Sequence, residues 1–442
     1  MKKPQGLPEQ WEVQELCVPE KGWIRSYVDC YKGKVEVPSE AIAGTAYTLL
    51  SAIVGWKGEI RFADASEPLT LFTALIGRSA SAHKTTSLKI AERIGVDANQ
   101  RWRHHNGCIP EDPAALLDVV TGGHTSQAGI VDVLAPRDEA EQKLWENEPP
   151  PAHLMIWDEL ADLLTAEGNK TFLTATRQML LRVYGGYQPG SSTRMNPALS
   201  GRCSMSVLGT VTAATWEESL GSDAVASGMM GRILAIPYGA PEAFIPFPEP
   251  VDRAKRDYLV DWLVALGNLP QSSFGQVTMT QEARDLWEHW YLDKKKEIAK
   301  LEEKSPVLAG AYASIFGRYQ VTALKFAAIL AVSEWEPGVG VPSLQLTHNH
   351  LFTACAYIDR LLQYSVPVAY DAMDEAQYRH MRRVKAYVTK HDGCTYSEAM
   401  RAVRTKGVNA ETFKRLLQIQ MDQQEISWDQ ENGRLWLGDN AA

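Results

Sequence analysis

The chain has 442 residues, 45% of them apolar and 22% charged, a globular composition that excludes a fibrous, low-complexity or wholly disordered protein. At about 100 to 200 residues per domain, that length implies two to four domains. Lys and Arg number 45 against 54 Asp and Glu, so the formal net charge is −9 and any contact with DNA must be local.

In chain order, apolar residues at 42, 46, 49, 50, 53 and 54 recur at helical spacing and predict a helix over 38–54. The next segment, GEIRFADASEPLTLFTALIG, is expected to form two strands. The second, 69–76, is continuously apolar, as a strand covered on both faces of a parallel sheet must be. A Ser/Ala loop and a helix over 84–94 follow, then a helix over 126–134 and an acidic, Pro-rich stretch over 136–151 that reads as an exposed insertion. Strand 153–157 and helix 171–183 lead to GYQPGSSTRMN, a hairpin or loop by its turn residues. With strand 203–208, helix 215–220 and strand 233–237, the alternation predicts an α/β fold with a doubly wound parallel sheet.

Beyond the Pro-rich segment PYGAPEAFIPFPEPVD, the pattern is helical from 253 to about 369, as in a bundle. From 378 the order is three helices and then two short strands about Asn432-Gly433, which reads as a winged helix. From Ala376 onward, eleven Lys and Arg stand against eight Asp and Glu, so this small domain is basic. The expected division is an N-terminal helical region (1–58), an α/β core (59–240), a helical bundle (241–370) and a winged helix (376–442).

A lysine at the mouth of a helix that follows a buried strand sets an ammonium beside free backbone N–H groups, and both attract a polyphosphate. IGRSASAHKTTS has that context. Against the phosphate-loop pattern G-x-x-x-x-G-K-[ST], Lys84 and Thr85 fill the last two places, His83 replaces the second Gly, and Gly77 stands one residue early. Small residues such as Ser81 and Ala82 still let the backbone wrap an anion. Gly77, Ser81, Ala82, His83, Lys84, Thr85 and Thr86 are therefore the candidate nucleotide-binding residues, the alternative being a strand-to-helix turn with an exposed lysine.

In HLMIWDEL, a buried strand ends in two carboxylates. Asp158, with the Thr85 hydroxyl, would hold Mg²⁺, and Glu159 would polarise the attacking water; a solvated acidic turn is the alternative. Thr210, ending the strand in CSMSVLGTVT, is placed either to meet the γ-phosphate or its water or to make a turn. Arg232, in GMMGRILAIP, would face a neighbour's γ-phosphate in a ring of subunits, or make a surface salt bridge in a monomer.

The order EPLTLFTALIGRSASAHKTTS, HLMIWDELADLL, SMSVLGTVTAATWEE, GMMGRILAIP resembles the P-loop ATPase domain of phage, plasmid and genomic-island primase–helicase proteins, over roughly residues 20–370. That family resembles AAA+ and superfamily 3 helicases. The resemblance implies ATP and Mg²⁺ as ligands, a homo-oligomeric ring such as a hexamer, an arginine finger at Arg232, and a helical lid whose Arg318 acts as sensor 2. No primase–polymerase segment accompanies the ATPase here, so a separate partner would supply priming.

Single-stranded DNA is expected in the ring channel, with Arg194 of the hairpin near it. Duplex DNA is expected on the winged helix, with Lys414, Arg415 and Arg434 on phosphates; packing on a protein partner is the competing role for that domain. His348–His350 spells HNH without metal-ligand spacing and is given no catalytic role; His104, His105 and His124 read as surface or packing residues. Trp428 and Trp436, in the wing, are expected to pack in the core against the three helices rather than to stack on bases. The six cysteines show no paired spacing and read as reduced thiols, and residues 1–10 hold no apolar run, so a cytoplasmic, membrane-free location is expected. Three functions compete: an ATP-driven DNA helicase or translocase, an ATP-gated DNA-binding switch or loader, and a DNA-binding regulator with an inactive ATPase core.

Overall fold

The computed structural model describes residues 17–62, 65–77, 84–109, 115–121, 127–136, 138–148, 150–160, 171–188, 191–192, 197–198, 200–220, 228–241, 244–270, 274–403, 410–422, 426–429 and 432–437. The chain opens with helices α1 (Gly22–Tyr31) and α2 (Ser39–Val54), strands β1 (Gly58–Phe62), β2 (Ala65–Pro68) and β3 (Phe72–Gly77), and helix α3 (Lys84–His105). Strand β4 (Asp118–Thr121), helices α4 (Gln127–Leu134) and α5 (Glu139–Asn147), strand β5 (Ala152–Trp157) and helix α6 (Thr171–Tyr184) come next. Short strands β6 (Tyr187–Gln188), β7 (Ser191–Ser192), β8 (Pro197–Ala198) and β9 (Gly201–Arg202) precede β10 (Ser204–Thr212), α7 (Ala213–Leu220) and β11 (Ile233–Pro237). Then follow α8 (Arg253–Gly267), β12 (Gly275–Gln276), β13 (Thr278–Met279), α9 (Gln281–Lys304), α10 (Pro306–Ser333), β14 (Gln345–Leu346) and α11 (His348–Lys390). The last elements are β15 (Cys394–Thr395), α12 (Tyr396–Val403), α13 (Ala410–Asp422), β16 (Ile426–Asp429) and β17 (Arg434–Leu437).

The apolar runs assemble as one five-stranded sheet in the order β11-β3-β10-β5-β4, every neighbour pair parallel. All carboxyl ends therefore meet at one edge, and β10 lies between β3 and β5. Helix α2 crosses one face with all sixteen of its residues buried, which is why it reads apolar all round. Ser51 on that helix pairs with Ser206 of β10, hydroxyl to hydroxyl at 2.8 Å, and both oxygens accept the Leu71 N–H. The other face receives α6, whose Tyr184 ring meets Phe72 edge-on at 5.2 Å.

Residues 58–77 form three strands rather than the expected two. Glu59 to Phe62 pair antiparallel with Ala65 to Pro68 before β3 begins, and β12 extends this small sheet parallel to β1. The return arm ASEP escapes a reading by hydrophobic period because it carries no apolar alternation. The acidic stretch expected as an exposed insertion contains α5, capped by the Asp138 carboxylate accepting the Glu141 N–H at 2.8 Å. Helix α3 continues past the expected end at 94 to His105, its last turn rich in Arg and His, cations that favour a helix C-terminus.

Contacts divide the chain into two compact units, Met1–Val368 and Ala369–Ala442. The boundaries expected at 58 and 240 fall inside the first. There α1, α8 and the segment after α10 share an aromatic core: Trp23 stacks on Trp262 at 5.5 Å, Trp262 meets Trp335 edge-on at 5.4 Å, and Trp262 Nε1 donates to the Trp335 carbonyl at 2.9 Å. Among the described residues, one helical segment, Leu308–Ser333, is long and apolar enough to cross a membrane, but 78% of its most apolar window is buried inside the protein, so it is a core helix. All six cysteines are free thiols, and five of them are buried.

The second unit contains the end of α11, α12, α13 and an antiparallel sheet in the order β15-β17-β16. Val384, Val388, Ala399, Phe413, Leu417, Ile426 and Leu435 form its core. Trp428 packs on that core and stacks on Tyr396 at 5.5 Å. Trp436, expected in the same core, is 41% exposed and lies over Gly393 instead.

Candidate functional site: the carboxyl edge of the sheet

Strand β3 ends at Gly77, and Lys84, Thr85 and Thr86 form the first turn of α3. Ser81, Ala82 and His83 lie outside the described residues, as does Arg194. Thr85 is exposed and Lys84 half-buried. Strand β5 ends at Trp157, and the exposed Asp158 and Glu159 turn over the same edge. Gly77 is in register with Thr212, and Trp157 with Gly209, so the acidic end of β5 stops three residues lower along β10, or about 10 Å. Laterally β3 and β5 stand two strand spacings apart, again about 10 Å.

Thr210 holds the acidic turn in place. Its hydroxyl donates to the Asp158 carbonyl, and its own carbonyl accepts the Leu160 N–H at 3.0 Å. The side chain is only 2% exposed. Of the two roles expected for Thr210, its hydrogen bonds are those of the turn: its one proton is donated to the backbone beneath the two carboxylates. Gly209 completes the clamp: a Cβ there would stand 3.0 Å from Leu160 Cβ and 3.1 Å from the Trp157 carbonyl oxygen, so a side chain would push the turn off β10 by a few tenths of an ångström. Among the described residues, neither the Asp158 nor the Glu159 carboxylate has a hydrogen-bond or ion-pair partner.

A cleft of about 950 Å³ begins at Thr86 and runs along α3, walled by Tyr31, Pro250 and Arg256 among others. Arg101 is held by Asp257 and Asp261 at 2.7 Å each, and Arg256 by Asp97. Lys89 and Arg93, one helical turn apart on the same wall, have no ion-pair or hydrogen-bond partner among the described residues. Two uncompensated cations beside Tyr31, Val35 and Ile90 make the cleft both apolar and anion-attracting. Sequence reading passed over it because its walls come from α1, α3 and the start of α8, far apart in the chain.

Arg232 lies elsewhere. It immediately precedes β11, and Ile233 is in register with Phe72 at the start of β3, so the arginine sits at the amino edge, about 17 Å along the strands from Gly77. Its Nη1 donates to the Gly228 carbonyl at 2.9 Å. Arg318 is beside it: a Cβ on Gly228 would come within 3.1 Å of Arg232 Nη1 and 3.5 Å of Arg318 Nε. Arg318, expected as sensor 2, therefore stands beside Arg232 near Gly228. Burial, and then the Arg318 charge, push the Arg232 pKa down.

Beneath this pair lies Lys325, wholly buried, with Nζ 3.4 Å from Glu67 Oε2, 3.1 Å from the Tyr184 carbonyl oxygen and 3.6 Å from the Tyr184 ring centroid. Burial lowers its pKa to about 8, against the opposing pull of Glu67. The only sequence signal for this site was a lone lysine in the apolar run ALKFAAIL.

In the second unit, Lys414 is exposed on α13, and Arg434 on β17 donates to the Gly393 carbonyl at 3.2 Å. Arg415 belongs to α13, but its side chain lies outside the described residues. No family model and no curated protein matches the chain.

Proposed function

We propose that this chain is an ATP-dependent DNA helicase or translocase of a mobile genetic element, with a P-loop ATPase core that acts in an oligomeric ring and a C-terminal winged helix that meets DNA. The observation that carries the reading is the common edge: the helix opened by Lys84 and the Asp158-Glu159 turn project from the carboxyl ends of two parallel strands separated only by β10. Ligands of parallel α/β sheets bind outside the carboxyl ends of the strands, where strand order reverses, and β3 to β4 is such a crossover. The two spacings of about 10 Å suit a triphosphate held between a helix N-terminus and a carboxylate pair.

Each residue then has a task. Lys84 and the first N–H groups of α3 bind the β- and γ-phosphates. Glu159 accepts hydrogen bonds from the attacking water and draws off its proton, while Thr210 keeps the acidic turn at fixed height. The α3 cleft takes the nucleoside half, with Tyr31 as an aromatic wall and Lys89 and Arg93 as added positive charge. The Thr85 hydroxyl and Asp158 carboxylate are exposed hard oxygen donors, and such a sparse set fits Mg²⁺, which keeps most of its waters. Bound there, the ion would neutralise phosphate charge.

The helical end of the second unit and its hairpin support the DNA contact, since a winged helix presents its third helix to the major groove and its wing to the backbone. The test is ATP hydrolysis with and without single-stranded DNA, followed by displacement of a labelled strand from a fork. Stimulated hydrolysis with displacement supports the helicase. Slow hydrolysis without displacement favours the switch or loader, and none at all would leave only the DNA-binding regulator.

A further inference from the structure

We infer that Arg318 and Arg232 together form a single receptor for a phosphate carried by a second copy of this chain. The inference rests on the ATPase reading above and adds Arg318 as a group acting on the neighbour's nucleotide. The two guanidinium groups converge on one point above Gly228, whose φ of +74° and missing side chain leave room for both. Neither has an ion-pair partner among the described residues, and Glu67, whose charge acts on Arg232, is engaged by Lys325. Adjacent like charges without a counter-ion are held apart from their preferred state, and an oxyanion between them relieves the repulsion. Their own phosphate site cannot supply it, because it lies at the opposite edge of the sheet.

The backbone carrying Arg232 is fixed by a chain of hydrogen bonds. Thr322 Oγ1 donates to the Gly231 carbonyl at 3.2 Å, which leaves Tyr184 to donate its hydroxyl proton to Thr322 at 2.8 Å. Lys325 then ties the Tyr184 carbonyl to Glu67 of β2. Gly231 itself lies against Arg318: a Cβ there would fall 2.7 Å from Arg318 Cβ, so α10 and the turn before β11 carry the two arginines as one rigid piece. Arg232 and Arg318 are thus receptor groups, and Thr322, Tyr184 and Lys325 are positioning residues.

The full chain is tested with three variants. Arg318→Ala should bind a fluorescent ATP analogue as tightly as the unchanged protein at concentrations where subunits are separate. It should also lose at least about 1,000-fold in hydrolysis, the lower end of the range known for trans-acting arginines. Mixing it with Lys84→Ala should restore activity, since each supplies what the other lacks, whereas mixing it with Arg232→Ala should not, since both lack the same receptor. Arg318→Lys should recover only part of the rate, because an ammonium cannot share an oxyanion in the planar geometry of a guanidinium. If Arg318→Ala weakens ATP binding by separate subunits, keeps full hydrolysis, or is restored by Arg232→Ala, the shared receptor is overturned. An unchanged protein that neither binds nor hydrolyses ATP would instead bring down the ATPase reading and this inference with it.

Discussion

Lys325→Met should alter how stability depends on pH, and the buried ammonium fixes both the sign and the window. The Lys325 pKa is lowered from 10.5 to about 8 by burial, and the side chain is wholly inaccessible, so no solvent discount applies. A shift of that size corresponds to about 3 kcal/mol at 1.36 kcal/mol per pH unit. Because the folded-state pKa is the lower one, its contribution is fully present above about 10.5. It is lost as the pH falls through about 8, where the folded protein must take up a proton it holds poorly. Between pH 7 and pH 10 the unchanged protein should therefore gain about 2.5 kcal/mol relative to Lys325→Met, the rest following above pH 10. Buried tyrosines such as Tyr27 and Tyr47, with raised pKa values, lower the stability of both proteins at high pH and cancel in the difference. Urea titrations of the two proteins at pH 7, 8, 9 and 10 provide the measurement. A constant difference in stability across that range would refute the argument, since it would mean that Lys325 titrates alike in the folded and unfolded chain. Methionine leaves the Glu67 carboxylate without its partner, so Lys325→Met/Glu67→Gln should retain the flat pH response and recover part of the stability at pH 7.

Lys84→Ala should abolish hydrolysis and weaken ATP binding, whereas Glu159→Gln should keep ATP bound and stop turnover; filter binding and phosphate release separate the two, and equal loss of binding in both would contradict their roles. Thr210→Val removes the hydroxyl beneath Asp158 at a cost of about 1–3 kcal/mol. It should lower turnover about 10-fold with ATP affinity nearly unchanged, and a normal rate would show that the turn needs no such support. A fragment covering 369–442 should bind duplex DNA with a steep salt dependence, and Lys414→Ala or Arg434→Ala should each reduce the slope by about one unit. Absence of binding at low salt would move the DNA contacts to the first unit.

The sheet was legible because strands buried on both faces are written as unbroken apolar runs: FTALIG, HLMIW, SMSVLG and ILAIP all proved to be neighbours in one parallel array. The start of α3 at Lys84 was legible for a related reason, since the change of period from two to 3.6 falls there. DVVT was not, because β4 is a four-residue edge strand with two exposed positions that carries too short a signal to separate from a turn. Which side of the sheet each candidate occupies was also out of reach. Arg232 and Arg318 are 86 positions apart, and their meeting over Gly228 depends on how α10 packs beside β11. Thr210 shows the limit at a single residue: its place at the strand end could be read, but the direction of its hydroxyl is decided by the carbonyl that comes within reach.

Strand β10 has a consequence for how such a chain can change. The helix opened by Lys84 and the acidic turn stand on either side of β10, and the separation of the strand ends that carry them is measured out along nine residues between Ser204 and Thr212. Additions to the chain beyond Leu160 leave that ruler unaltered, and natural variation in length is expected to collect there rather than in the short loop that carries Lys84. A single residue gained or lost within β10 would turn every later side chain to the opposite face and shift one edge against the other by about 3.3 Å. The strand that bears none of the candidate charged groups is therefore the least free to drift.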